Sequence, residues 1–149
     1  MKILASNKKA YFNFDVLDSI EAGIVLEGWE VKSAKGGRIS LSGSYIKIKL
    51  NELWLSGATI ADYKFSLGLH IPDRERKILL HRKEILKLIA GTKQEGGTLV
   101  PLEILENDKK IIKIMVALVK GRKRFDKRQV LKERDVKKRL NFDRKRYNI

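Results

Sequence analysis

A chain of 149 residues with no cysteine and only 2 histidines has room for one domain plus a short extension, and it excludes disulfides and thiolate metal sites. Its 33 lysines and arginines against 18 acidic residues leave a net charge of +15. An excess of that size repels itself on folding and so points to a polyanionic partner, nucleic acid before a membrane surface, because no amphipathic helix or lipidation site accompanies it. No apolar run approaches the roughly 20 residues that cross a bilayer. Residues 1–10 are basic without the apolar stretch of a secretory signal, so a soluble cytoplasmic chain, monomeric and without a membrane partner, is expected.

The charge is uneven along the chain. Residues 120–149 hold 14 basic and 4 acidic side chains, whereas the preceding 119 residues are close to ordinary in balance. This divides the sequence into a near-ordinary globular body, 1–121, and a basic tail, 122–149.

In chain order, 12–17 and 21–26 carry strand-like patterns, with Gly23 and Gly28 permitting a bulge or bend. Residues 30–35 allow a turn or two of helix ended by Gly36-Gly37. Strict alternation over 45–50 puts Ile46, Ile48 and Leu50 on one face and the lysines on the other, and Asn51-Glu52 suggests a tight turn into Leu53-Trp54-Leu55. Asp73-Arg74-Glu75-Arg76-Lys77 alternates in sign, as a solvated loop does. Residues 82–90 gather Ile85, Leu86, Leu88 and Ile89 into a helix that Gly91 would stop.

Two β-rich runs, 98–105 and 110–119, flank Asn107-Asp108 as a hairpin would. Pro101 cannot donate a ladder bond, so its strand is an edge or is bulged there. Residues 111–119 are apolar on both faces apart from Lys113, which predicts a central strand. Many short strands with few helices predict a mainly β fold, a small OB-like antiparallel barrel, closed or partly open, with flanking short α-helices. Beyond it, 126–140 is compatible with helix but carries cations on nearly every side, so disorder in solution and folding against RNA is expected.

Catalysis finds little support. His70 and His81 are eleven apart with no metal-ligand spacing, so a surface or loop role is expected for each, and no carboxylate cluster suggests a two-metal nuclease. Gly36-Gly37 and Gly96-Gly97 lack the surroundings of a phosphate loop. No cofactor and no metal are expected. Binding signals are stronger: residues 120–128 place six cations and Phe125 in nine positions, a pattern that neutralises phosphates and stacks on an unpaired base. Trp29, Trp54 and Tyr63 offer further rings, for which packing is the commoner use.

Four collinear blocks resemble the small protein B family, the SsrA-binding proteins. They are Asn7-Lys8-Lys9-Ala10; Glu21-Ala22-Gly23-Ile24-Val25-Leu26-Glu27-Gly28-Trp29-Glu30-Val31-Lys32-Ser33 with Lys35-Gly36-Gly37; Arg74-Glu75-Arg76-Lys77-Ile78-Leu79-Leu80-His81; and Gly121-Arg122-Lys123-Arg124-Phe125-Asp126-Lys127-Arg128 with Lys132-Glu133-Arg134-Asp135. The resemblance implies a non-enzymatic protein of trans-translation. Its body would bind the tRNA-like domain of transfer-messenger RNA around the D-loop and elbow, and its tail would enter the ribosomal decoding centre and mRNA channel.

By the same resemblance Asn7, Glu21, Leu79 and Lys113, with Gly121, Arg122 and Lys123, correspond to the RNA-contacting surface. Asp126, Lys127, Arg128, Lys132 and Arg134 correspond to the ribosome-probing tail. Leu105, where the family usually has tyrosine, departs from the pattern, and residues 140–149 fit it weakly. The competing readings are a general OB-type RNA binder and a nuclease or RNA-modifying enzyme.

Overall fold

A computed structural model describes residues 1–61 and 71–121. The predicted tail, Tyr63 and His70 lie outside these residues. Within them the chain forms β1 (Lys2–Ser6), α1 (Lys8–Asn13), β2 (Phe14–Ile24), α2 (Gly28–Lys35), β3 (Ile39–Ser40), β4 (Tyr45–Lys49), β5 (Glu52–Ser56), β6 (Thr59–Ile60), β7 (Arg76–Leu79), α3 (Arg82–Glu95), β8 (Thr98–Glu106) and β9 (Ile112–Gly121). Seven strands make one sheet in the order β1-β8-β9-β2-β7-β5-β4, every neighbouring pair antiparallel, and β3 pairs with β6 beside it. The sheet curls until β4 lies against β8 across the core. No ladder joins β1 to β4 among the described residues, so the barrel is of the open form.

Strand β9 is the central strand that its composition predicts. Ile112, Ile114, Val116 and Leu118 enter the main core with Leu53, Leu55, Ile78 and Ile104, while Ala117 and Val119 face a second cluster under α1, with Ala10, Val100 and Leu102. Burial on both faces is why the run shows no polar alternation. Helix α1 occupies part of the segment expected as strand 12–17, and the rest joins 21–24 in the single long strand β2, which ends at Ile24, so Val25 and Leu26 lie beyond it. The bulge in β2 falls between Val16 and Asp18 and not at a glycine.

Of the two readings left open at Pro101, the structure selects the bulge. Strand β8 sits between β1 and β9, and its register against β9 shifts between Pro101 and Glu103. The hairpin turn that follows is held by the Asn107 side-chain oxygen, which accepts from the backbone N–H of Lys109 at 3.0 Å and of Ile111 at 2.9 Å. The β4–β5 turn is one residue earlier than expected: Leu50 and Asn51 both have positive φ, 51° and 59°, as a two-residue hairpin of the primed type demands.

Gly91 does not stop α3, which continues to Glu95 and ends at the left-handed Gly96. The glycine is there because a Cβ on it would lie 2.5 Å from Leu118 Cδ2, so the helix rests directly on β9. Helix α2 ends at Gly36-Gly37 as expected. Among the described residues no helix is long and apolar enough to cross a membrane.

The alternating-charge segment 73–77 is not a solvated loop. Arg76 is completely buried in β7 and meets the completely buried Glu30 of α2, its Nε donating to Oε2 at 2.6 Å. Its remaining donors reach the carbonyls of Ala58 at 3.2 Å and Pro72 at 2.8 Å. Arg74 closes the set: its Nε donates to Glu30 Oε2 at 3.1 Å and its Nη2 to Oε1, while the Glu27 N–H also reaches Oε1 at 2.7 Å. Burial raises the Glu30 pKa, but the hydrogen bonds from Arg74, Glu27 and Arg76 outweigh it and hold the carboxyl below its ordinary value. Burial pulls the Arg76 guanidinium down against the opposing pull of Glu30. The network anchors β7, and β7 carries Leu79 at its far end.

Candidate nucleic-acid interface

Three of the predicted contact residues, far apart in sequence, come together on the outer face of the sheet. Gly23 of β2 pairs with Lys113 of β9 on one side and with Leu79 of β7 on the other, giving a row Lys113–Gly23–Leu79 across three strands. Glu21 lies two residues before Gly23, hence on the same face and diagonal to Lys113. The inward residues of the same stretch, Ala22, Ile78 and Ile114, are buried. Strand alternation therefore turns the charged and half-apolar set outward.

The row forms the floor of a cleft of about 360 Å³ whose wall is the start of α3, with His81 and Glu84. Gly23 is recessed between its neighbours, since a Cβ there would stand 3.2 Å from Leu79 Cβ. Leu79 stays 50% exposed, an unusual state for a leucine in the middle of a sheet. Glu84 is committed to the helix start, where its Oε1 accepts the His81 backbone N–H at 3.1 Å. Glu21 and Lys113 are different: neither makes an ion pair or side-chain hydrogen bond with another described residue. An apolar seat beside an unengaged carboxylate and an unengaged ammonium suits a polar planar group with both donors and acceptors.

The other predicted residues lie elsewhere. Asn7 is buried, and its side chain is used within the fold: Nδ2 donates to the Pro101 carbonyl at 2.8 Å and Oδ1 accepts the Ala10 N–H at 3.3 Å, capping α1. It also borders a separate groove with Lys8, Lys9, Ser40 and Ser42. Gly121 is exposed at the end of β9, opposite Phe14. Arg122, Lys123, Asp126, Lys127, Arg128, Lys132 and Arg134 are outside the described residues.

Neither described tryptophan is a free platform. Trp29 is buried, with Nε1 donating to Glu27 at 2.6 Å, and the half-buried Trp54 ring is covered by Lys49 Nζ at 5.2 Å. The lysines around Trp54 are neutralised locally, Lys47 and Lys49 by Glu75 at 3.3 and 2.8 Å and Lys77 by Glu52 at 3.2 Å. Hydrogen bonds from Lys49 and Lys47 hold the Glu75 carboxyl below its ordinary pKa. In the cleft, by contrast, Glu21 and Lys113 are not engaged by any other described residue. Sequence reasoning passed over Gly23 and Glu84 as members of it. A glycine inside an apolar strand does signal close approach of another group, and His81-x-x-Glu84 has the spacing of a helix-start box.

A family model described as SmpB protein matches residues 4–146. An SsrA-binding protein of Wolbachia (from Brugia malayi) is 46% identical over 136 residues, 91% of this chain and 91% of that protein. One from Thermosipho africanus is 39% identical over 142 residues, 95% of each chain. A solved chain from work described as "tmRNA-SmpB: a journey to the center of the bacterial ribosome" superposes with a TM-score of 0.66 at 38% identity, covering 80% of this chain and 84% of that one.

Proposed function

The chain belongs to the SmpB family, and on that footing we propose that it binds the tRNA-like domain of transfer-messenger RNA, brings that RNA to stalled ribosomes and lays its basic C-terminal residues in the vacant decoding site. The observation that carries this reading is the collinear likeness to SsrA-binding proteins over nine-tenths of the chain. The cleft supports it, because Glu21, Leu79 and Lys113 converge there from three strands. In this reading the protein works by binding and positioning, in the cytoplasm where its RNA partners are, with the body 1–121 as the RNA-binding unit and 122–149 as the ribosome-probing unit. Glu21 and Lys113 supply hydrogen bonding and charge, and Leu79 supplies apolar contact. Asn7 acts through the fold, pinning α1 to β8, while Gly121, Arg122 and Lys123 extend the contact to phosphates at the tail root.

A gel-shift titration with the tRNA-like domain, an ordinary tRNA and an unrelated hairpin at two salt concentrations tests the proposal. Preference for the tRNA-like domain that survives higher salt is expected, since simple phosphate attraction fades with salt for all three RNAs alike. Equal binding that weakens in parallel would favour a general basic RNA binder.

A further inference from the structure

We propose that the groove between α3 and β2 is a docking site for residues 126–140 of the same chain, which occupy it when no RNA holds them. The proposal goes beyond the RNA-binding reading, and its test contains no RNA, so either can fail without the other.

The groove follows one side of α3, from Glu95 beside Leu17 to Glu84 beside Ile20, as two joined hollows of about 420 and about 210 Å³. The helical rise between Glu84 and Glu95 gives it a length of about 16 Å. Its floor is apolar, with Leu88 and Leu118 beside Gly91, where the helix rests on β9. A bulge shapes the mouth. Val16 pairs with Val119 and Asp18 with Leu118, so Leu17 is the extra residue of β2, and its side chain is left 44% exposed.

The rim is acidic although the chain as a whole is strongly basic. Among the described residues that line it, Asp18, Glu84 and Glu95 face one cation, Lys87. Lys87 Nζ stands 3.9 Å from Asp18 Oδ2 with both side chains exposed, a weak pair that another cation can replace. Glu95 makes no ion pair or side-chain hydrogen bond with another described residue. Carboxylates around an apolar floor repel phosphate and suit a cationic segment that also carries aliphatic side chains.

Residues 126–140 have that composition: seven cations against three carboxylates, with Val130, Leu131, Val136 and Leu140 among them. They are also tethered beside the groove. The chain leaves β9 at Gly121, three residues or about 10 Å past Leu118. Residues 122–125 are enough for a reversal back along the groove, since connections this short commonly join neighbouring elements. A tether of that length sets an effective concentration on the order of millimolar, which favours this segment over a free partner or a second copy.

The chain has no cysteine, so Gln129→Cys gives a single site for a nitroxide label on the full-length protein. Ser19 and Val100 both pair with Ala117, one on each flank of β9, so a segment merely swinging from Gly121 would broaden their amide signals alike. Docking should broaden Ser19, with Gly91 and Glu95, several-fold more than Val100, measured against the same protein with its nitroxide reduced. The asymmetry should weaken at about 1 M salt, where charges are screened beyond about 3 Å. It should also weaken in a Leu17→Ser, Glu95→Lys variant, whose two altered side chains are exposed in the parent.

Equal broadening on the two flanks overturns the proposal, as does an asymmetry that neither salt nor the variant reduces. Asymmetric broadening in a mixture of isotope-labelled protein without nitroxide and nitroxide-labelled protein without isotope would assign the groove to a second copy, which overturns it as well.

Discussion

Replacing Glu30 by glutamine should cost this protein a large part of its stability, even though the two side chains differ by one atom in shape. In the native fold Oε1 accepts from the Glu27 N–H and Arg74 Nη2, and Oε2 accepts from Arg74 Nε and Arg76 Nε. A glutamine can satisfy one of those two sites. Its amide NH₂ at the other turns a donor against donors, losing two hydrogen bonds of which at least one is to a guanidinium. At about 1.5–3 kcal/mol for each charged bond, the loss is about 3–5 kcal/mol, the range found when a buried ion pair is broken from one side.

The cost falls mainly on Arg76. The Arg74 side chain is 25% exposed and can recruit water, whereas Arg76 is wholly buried and left without a counter-charge. Urea unfolding followed through the fluorescence of Trp29, which lies in α2 beside Glu30, would measure it. A Glu30→Gln, Arg76→Met double variant should recover part of the loss, because two apolar or neutral groups need no counter-charge. A single variant within about 1 kcal/mol of the parent would refute the reasoning, since it would mean that Arg76 finds solvent and the network contributes no more than a surface pair.

The same carboxyl predicts a pH dependence. Its folded pKa lies below the ordinary 4.5, so the stabilisation is fully present above that value and is lost as pH falls through the lower folded one; the gap between parent and Glu30→Gln in urea midpoints should therefore shrink as pH is taken below 4.5. Gly97→Ala should destabilise by about 1–3 kcal/mol in thermal unfolding, because the added methyl would stand 2.5 Å from the Val119 carbonyl oxygen, a backbone atom of the central strand that cannot swing away. Leu79→Ala should leave the unfolding midpoint nearly unchanged while weakening RNA binding in the gel shift, as a half-exposed leucine contributes little to the core. Deleting residues 127–149 should spare binding to the tRNA-like domain and abolish peptide tagging in a reconstituted translation assay; loss of both in a folded truncation would break that division of labour.

Much of the fold was legible because local rules and tertiary structure agree. The β8–β9 hairpin follows from Asn107, whose side chain can cap a tight turn, and the bulge from the donor that Pro101 lacks. What could not be seen depends on partners remote in the chain. Arg76 looks like any charge in an alternating run until Glu30, 46 residues earlier, is brought against it. Gly91 looks like a helix stop until Leu118 is placed beneath it. The cleft is similar. Glu21, Leu79 and Lys113 become neighbours only through the order β9-β2-β7, which no periodicity encodes, and their selection came from likeness to a family.

Strand β9 has a mechanical consequence. It is hydrogen-bonded on both flanks, to β2 and β8, and it carries Lys113 near its beginning and Gly121 at its end. Eight residues of extended chain make a rigid ruler of about 26 Å between the cleft and the point where residues 122–149 begin. In the proposed reading, grip on an RNA and the launching point of the basic segment are thereby held at a set offset, with no hinge in the strand to vary it. The pleat also sets a heading: one residue inserted into β9 after Lys113 would send each later side chain to the opposite face, so length and aim are templated by the same ten residues.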